Sequence, residues 1–437
     1  MSRVINVLCA PPNGRNAGMA SVDMAFGSVA PSGVAVRYWR MWDQSEWIEP
    51  PGISCPRPDG TFEDPDTGLT YHLLRGRLDE FLDGDAAVYW GDFLHMAVYQ
   101  RHTADVLHRR MGLLDEGAAR ESVADHLLLR SRATERLPQV LSYGSTLGMN
   151  TPSDYVGEYG SDLNRFLTAA NRVWLRDAYS AQTARIARGN ADESCQALDA
   201  AFLLGERDRR ERDGSLAVFF GRSALAPEAL ARLGSRVARR LGLQPQLLPW
   251  GEEPAFWPIH DRRRFRAAWP GLEHGVANPS AGQRRQTAQG VLRGTSSRAM
   301  APSPSDCFEQ IARSSVVLTD TYHLAVNSWR LGTPAILVVD QPGKAWSVNS
   351  GEPGTGRDKR HDLYSQLDAL GLLVNVAGLG TNLEAPTERV ASHLADDTLL
   401  EVTHQRLATL KAASRRAVAD TLSELVGAGL PTAPAGT

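Results

Sequence analysis

The sequence predicts two Rossmann-like α/β domains facing a cleft, each a parallel sheet covered by helices. Three observations carry this reading. Short apolar runs end repeatedly in Gly or a polar residue. Many are followed by helix-periodic segments. The series then starts afresh after the charged stretch GERDRRERDG at 205–214. Alternating strands and helices argue for parallel sheets buried on both faces. Right-handed crossovers put the functional turns at the carboxyl ends of the strands.

The first strand is Val4–Leu8, followed by Pro-Pro-Asn-Gly and a helix near Ala20–Phe26. Ala86–Trp90 is a strand ending at Gly91-Asp92, and Gln139–Tyr143 one ending at Gly144-Ser145. Arg172–Leu175 ends at Arg176-Asp177, with a helix from Ala178 to Arg188. Residues 1–205 thus form an N-terminal Rossmann-like domain and 206–214 a charged linker. The alternative is a solvated helix end inside one domain.

The second domain spans 215–395. It opens with a strand at Leu216–Phe220, then an amphipathic helix at Leu225–Leu241 with Pro227 in its first turn. Ser315–Thr319 is a strand, His323–Leu331 a helix closed by Gly332, and Ala335–Val339 a strand after Pro334. The stretch 262–304, rich in Arg, Gly, Ser, Gln and Pro, predicts a long mobile insertion. It serves either as a flap on an acidic acceptor or as a solvated loop. Residues 396–437 form C-terminal helices, with Leu407, Leu410 and Leu422 on one face, and a frayed Pro/Ala/Gly tail.

At 437 residues the chain fits about two to three domains, at roughly 150 residues each. With 42% hydrophobic and 22% charged residues it has the makeup of a globular protein with a large core. A formal net charge of −3 argues against a protein built to coat nucleic acid or an anionic membrane. Cys9, Cys55, Cys195 and Cys307 are far apart and lack metal-ligand spacing, so separate thiols and a cytoplasmic location are expected. The N-terminal apolar run is too short for a signal peptide, and no run of about 18 apolar residues predicts an integral membrane segment. HExxH, Walker A, Gly-x-Ser-x-Gly and GxGxxG patterns are missing from the candidate turns. Metal-dependent hydrolysis, P-loop chemistry and a dinucleotide site are therefore unsupported.

Four strand ends carry candidate chemistry. Asn16 and Gly18 lie in the turn between the first strand and its helix, where small residues let an anion approach free backbone N–H groups. Arg176 follows a strand end, with Asp177 as helix cap or Arg orienter and Ser180 one turn on. Arg222 follows Gly221 in the same way in the second domain. Asp320-Thr321-Tyr322-His323 joins a strand to a helix, a position suited to proton transfer by His323. Each also has a plain structural reading, as a turn, a helix cap or a satisfied core side chain.

These segments in their order resemble the polysaccharide pyruvyl transferase family. The central match is SVVLTDTYHLAVNSWRLGTPAILV at 315–338, similar to the family's strand, Asp-Arg-x-His, helix, Gly-x-Pro, strand. Leu141–Ala184, with VWLRDAYSAQTA, resembles its Arg-Asp-x-x-Ser block. DAAFLL at 199–204 and Asp358-Lys359-Arg360 resemble two further blocks. The resemblance covers most of residues 1–375. It implies a GT-B-like fold and phosphoenolpyruvate as co-substrate, with no other cofactor and no metal. The product is a pyruvate ketal on a sugar or cell-surface glycan. It implies His323 as general acid, Arg176, Asn16, Gly18 and Arg222 as donor-binding, and Asp177, Ser180, Asp320 and Tyr322 as supporting residues. Two positions depart from the pattern. Thr321 stands where the family has Arg, and Met19 where it has Asp. Two other readings stay open: a GT-B glycosyltransferase using a nucleotide sugar, and a non-catalytic homologue that binds a glycan or a partner protein.

Overall fold

The computed structural model describes all residues except 1–2, 11–15, 43–58, 65, 133–138, 191–194, 206–209, 222–226, 249, 251–266, 275–301, 340–357, 377–381 and 429–437. Elements of the first half run in the order β1 (Val4–Cys9), α1 (Ala17–Ala25), β2 (Ala35–Arg40), β3 (Thr61–Asp64), β4 (Leu69–Leu73), α2 (Leu78–Leu82) and β5 (Ala86–Trp90). Then come α3 (Ala97–Asp105), α4 (Glu116–Leu128), β6 (Gln139–Ser145), α5 (Glu158–Ala169), β7 (Arg172–Leu175) and α6 (Ala178–Arg188). The seven strands form one sheet in the order β3-β4-β2-β1-β5-β6-β7. All neighbours are parallel except β3 and β4, which form an antiparallel hairpin at the edge. Val7 of β1 lies between Tyr38 of β2 and Val88 of β5.

The second half contains β8 (Ser215–Phe219), α7 (Pro227–Leu241), β9 (Gln244–Leu247), β10 (Glu273–His274), α8 (Pro304–Arg313), β11 (Val316–Thr319) and α9 (Tyr322–Arg330). It continues with β12 (Ala335–Val339), α10 (Lys359–Gln366), β13 (Leu373–Asn375), α11 (Glu384–Ala395) and α12 (Asp397–Ala428). Its six strands are all parallel, in the order β10-β9-β8-β11-β12-β13. The expected architecture is therefore present: two α/β sheets, parallel except for the β3–β4 edge hairpin, followed by C-terminal helices.

Local chemistry explains the boundaries. The Asp177 side chain accepts from Ser180 N at 2.9 Å and starts α6, and Gly189 in a left-handed conformation ends it. Ser303 and Asp306 form a reciprocal capping box with Pro304 at the first turn of α8. Every residue of β11 and β12 is buried, as expected for central parallel strands covered on both faces. Each such Val, Leu or Ile contributes about 1.5–3 kcal/mol through burial.

Three parts differ from the sequence expectation. Strands β2, β3 and β4 were not expected, nor were β9 and the edge strands β10 and β13. The helix expected at Ala20–Phe26 begins three residues earlier, because the Asn16 side chain caps it by accepting from Gly18 N and Met19 N. Most of the expected insertion lies outside the described residues. Its 267–274 portion supplies β10 and Trp269, which packs against Gly234 of α7. The linker residues 206–209 and the tail from 429 also lie outside the described residues.

The two sheets are joined by direct packing of α1 on α9. Asn327 Nδ2 donates to Ser21 Oγ at 2.9 Å across that seam. Arg415 of α12 reaches back and donates to the carbonyls of Leu203 and Leu204 at 3.0 and 3.2 Å. Among the described residues no helix is long and apolar enough to cross a membrane.

Candidate active site

The α1–α9 seam brings together residues from both sheets. Gly18 and His323 define the closest approach. A Cβ placed on Gly18 would lie 2.5 Å from His323 Cβ, so the first turn of α1 fits against His323 only without a side chain. Replacing Gly18 with Ala is expected to cost about 1–3 kcal/mol and to push His323 out of place. Thermal unfolding together with a turnover assay checks this. Unchanged stability and rate would remove Gly18 from the site.

His323 is the second residue of α9, directly after the end of β11, and its side chain is 9% exposed. Its Nε2 stands 3.4 Å from Arg176 Nη1 and 3.4 Å from Asp199 Oδ2, with Asp92 Oδ1 at 4.0 Å. Arg176 follows β7, so the contact spans both sheets. A protonated Nε2 donates to the Asp199 carboxylate. An unprotonated Nε2 accepts from the Arg176 guanidinium. The imidazole thus has a partner in either protonation state, as reversible proton transfer requires.

Arg176 is buried, and both terminal nitrogens are engaged. Nη1 donates to Asp199 Oδ2 at 2.7 Å, and Nη2 is 2.7 Å from Asp92 Oδ1. Its guanidinium also lies against the rings of Phe93 and Tyr322, at 5.2 and 5.0 Å from their centroids. Burial disfavours the charged guanidinium, but Asp92 and Asp199 outweigh that and hold it firmly protonated. For Asp199, burial pushes the carboxyl up, while His323 and Arg176 pull it further down, below the usual carboxylate range. The expected picture of Arg176 as a fork projecting toward an anion therefore needs revision. The fork is already held by two carboxylates beside His323.

Asp92 and Asp199 were not among the sequence candidates. Asp92 ends the turn after β5 with φ +35°, behind Gly91 at φ +77°. Gly91 is required there, because a Cβ would lie 2.3 Å from Val22 Cγ1 of α1. The left-handed backbone at Asp92 is a strained conformation of the kind found at functional turns. Asp92 is fully buried, and its Oδ2 has no hydrogen-bond partner in the structure. Asp199 caps the 3-10 turn Ala200–Leu203 by accepting from Ala201 N at 3.0 Å, which fixes its other oxygen toward Arg176.

The remaining candidates divide. Tyr322 lines the cluster and contacts Arg176, with its hydroxyl kept neutral by burial and by nearby Asp199. Asp320 is buried and holds the strand-end turn, accepting from Gly221 N at 2.8 Å and Thr321 Oγ1 at 3.1 Å. Asp177 and Ser180 are tied up with each other, and with Thr146 Oγ1 and Leu147 N at 2.7 Å each. They position the β6 and β7 turns and do not face His323. Asn16 caps α1, one residue before the helix that carries Gly18. Arg222 lies outside the described residues. No group of three His, Cys, Asp or Glu among the described residues could hold a metal ion.

The family model described as polysaccharide pyruvyl transferase matches residues 124–341. That span holds Arg176, Asp199 and His323, whereas Asn16, Gly18 and Asp92 lie before it. No curated protein matches the chain. Among solved structures, a UDP-GlcNAc 2-epimerase from Neisseria meningitidis bound to UDP-GlcNAc is 9% identical, with a TM-score of 0.48, covering 97% of this chain and 100% of that one. A putative UDP-N-acetylglucosamine 2-epimerase from Listeria monocytogenes is 10% identical, with a TM-score of 0.49 and 97% of each chain covered. An alpha-glucosyltransferase in complex with UDP and DNA is 10% identical, with a TM-score of 0.47, covering 97% of this chain and 100% of that one. No residue's role is carried over from these three.

Proposed function

On the premise that this chain belongs to the polysaccharide pyruvyl transferase family, a family of transferases, we propose that it moves the pyruvyl group of phosphoenolpyruvate onto two hydroxyls of a sugar or glycan. One observation carries the reading: His323 Nε2 lies at 3.4 Å from both a buried guanidinium and a buried carboxylate, at the junction of the two sheets. Such a group can deliver a proton and take one back without losing its hydrogen-bond partner.

The chemistry follows in balanced steps. His323 protonates the methylene carbon of the enol phosphate, which becomes a methyl group. Positive charge builds at the adjacent carbon, where an acceptor hydroxyl adds and releases its proton. Inorganic phosphate then leaves with the proton released by the first hydroxyl, and a second hydroxyl closes the ketal by giving its own proton to His323, which restores the imidazolium. Asp199 stabilises the protonated imidazole, and Arg176 keeps two carboxylates from repelling one another beside it. Neither role requires a metal or a resident cofactor. In this reading Asp92 holds Arg176 from the buried side and Tyr322 packs against its guanidinium, while Asn16 and Gly18 set the approach of α1.

Replacing His323 with Ala is expected to lower kcat by about 10²- to 10⁴-fold, with the fold retained. Phosphate release from phosphoenolpyruvate with a panel of sugar diols measures it. Unaltered turnover in that variant would sink the role of His323. If the wild type released no phosphate and bound no phosphoenolpyruvate, but did bind a nucleoside diphosphate, a nucleotide-sugar transferase would replace this reading. A glycan or protein ligand bound without any turnover would point to a binding homologue.

A further inference from the structure

Gly18 and His323 meet where α1 and α9 touch, and the next turn of each helix meets as well. Ser21 lies three residues after Gly18 and Asn327 four after His323, so each shares a helix face with its neighbour in the site. Asn327 Nδ2 donates to Ser21 Oγ and to the His323 carbonyl, at 2.9 Å each. Ser21 Oγ donates in turn to the Gly18 carbonyl at 2.7 Å. A continuous chain of hydrogen bonds therefore links Gly18 to His323 across the seam.

The other end of the amide is engaged too. Asn327 Oδ1 accepts from Arg330 Nε at 3.1 Å, and Arg330 Nη1 donates to the Gly205 carbonyl at 3.4 Å. Gly205 is where the first half of the chain ends. The Arg330 guanidinium lies over the ring of Phe308 on α8, at 4.9 Å from its centroid. Ser21 and Asn327 are both fully buried. A buried amide is costly unless its donors and acceptor are used, and here they are. A fully bonded buried polar pair specifies one alignment of the surfaces that carry it, where an apolar pair tolerates sliding.

That alignment is what the site needs. His323 belongs to the second half, whereas Arg176 and Asp199, each 3.4 Å from its Nε2, belong to the first. Misplacing a reacting group by about 1 Å can cost about 100-fold in rate. The close approach of Gly18 to His323 limits how near the helices come, but it does not stop α9 from sliding along α1. The bond from Asn327 to Ser21 does.

We propose that Asn327 is a positioning residue of this site: with Ser21 it fixes the register of α9 on α1 and thereby holds His323 against Asp199 and Arg176. The proposal rests on the pyruvyl-transfer reading only for the turnover assay. Asn327 touches no reacting atom, and His323 remains the proton carrier.

The test compares wild type, Ser21→Ala, Asn327→Ala and the double variant, with near-ultraviolet circular dichroism to check that they fold alike. Phosphate release from phosphoenolpyruvate gives kcat and KM. Carbethoxylation by diethyl pyrocarbonate, followed by mass spectrometry, gives the accessibility of His323 without any donor. The expected result for Asn327→Ala is a kcat lower by roughly 10- to 100-fold, with KM changed by less than about three-fold. His323 is modified several-fold faster than in wild type, while the other histidines keep their rates. The double variant is no worse than Asn327→Ala, because both changes break the same bond. A general loss of stability would instead speed the buried histidines together. Unchanged kcat, or a His323 modified no faster than in wild type, in a folded Asn327→Ala overturns the assignment and leaves the donor reading intact. If wild type releases no phosphate from phosphoenolpyruvate, the donor reading fails and the modification rates decide alone. Selective acceleration at His323 then upholds Asn327, and equal rates overturn it. If Asn327→Ala is misfolded, the same comparison of modification rates passes to Ser21→Ala.

Discussion

Arg176→Met unfolds at a markedly lower urea concentration than the wild type, with a loss of about 3–5 kcal/mol. The reason lies in what surrounds the side chain. Its guanidinium is fully buried between Asp92 and Asp199, at 2.7 Å from each. Removing one charge of a buried pair normally costs more than the pair contributed, because the partner is left uncompensated. Here two carboxylates are left. Asp199 is held below the usual carboxylate range by His323 and Arg176 despite its burial. Without the guanidinium, burial and the neighbouring Asp92 both push it up. The folded state then has to take up a proton or admit water.

The same logic gives the control. Adding Asp92→Asn and Asp199→Asn to Arg176→Met removes the stranded charges and recovers much of the lost stability, without recovering turnover. Arg176→Lys falls in between, since an ammonium keeps the charge but cannot reach both carboxylates as a fork does. A midpoint for Arg176→Met that corresponds to less than about 1 kcal/mol of loss would contradict the buried triad. This outcome also separates two readings of the residue. A purely donor-binding arginine would change affinity and leave the unfolding curve alone.

Much of the framework was readable in the one-dimensional pattern. Ala86–Trp90, Arg172–Leu175 and Ala335–Val339 are apolar runs that stop at Gly or at a charge, and each is a strand with those bounds. Arg176 and His323 stood out for the same reason, since each directly follows or nearly follows a strand end. The hairpin β3–β4 was missed although its turn, Asp64 to Gly68, is a recognisable signal, with Gly68 N donating to Asp64 O at 2.8 Å. Strand β2 reads AVRYWR, and its arginines masked the apolar alternation. Arg40 is in fact buried, held by Asp23 and Asp64 at 2.6 and 2.7 Å. The partnership of Asp92, Arg176, Asp199 and His323 was not readable. These residues come from four separate strand ends or turns, and packing between the two halves, α1 on α9 included, brings them together. Asp199 was seen only as part of a resembling block. Its true signal was local: an acid two residues before the N–H it caps, free to aim its second oxygen elsewhere.

The turn that places Asp92 has its own acid sensitivity, and His95 is the source. Three residues beyond Asp92, His95 is fully buried, with ring centroids of Phe166 and Tyr89 at 4.4 and 5.4 Å. Its Nε2 is 2.9 Å from Ser142 Oγ on β6, and its carbonyl accepts from Tyr159 OH at 2.6 Å. Burial without an opposing charge pushes its pKa down to about 3. An unfolded histidine titrates near about 6.5. Between those values the unfolded chain binds a proton that the folded chain refuses, so stability falls as pH drops through that window. The full effect is on the order of 5 kcal/mol, at about 1.4 kcal/mol per unit. Buried His126 is shifted the same way and adds to the slope. The depressed carboxyl of Asp199 acts with the same sign but only below the ordinary carboxylate range, about pH 4, so it does not enter a comparison made above that. Urea unfolding at pH 6.5 and 4.5 is therefore expected to show a loss in the wild type that exceeds the loss in His95→Gln by about 2 kcal/mol. Parallel losses in the two proteins would mean that His95 is protonated as easily in the folded chain as in the unfolded one. The aromatic enclosure by Tyr89 and Phe166 would then not be what holds the Asp92 turn in place.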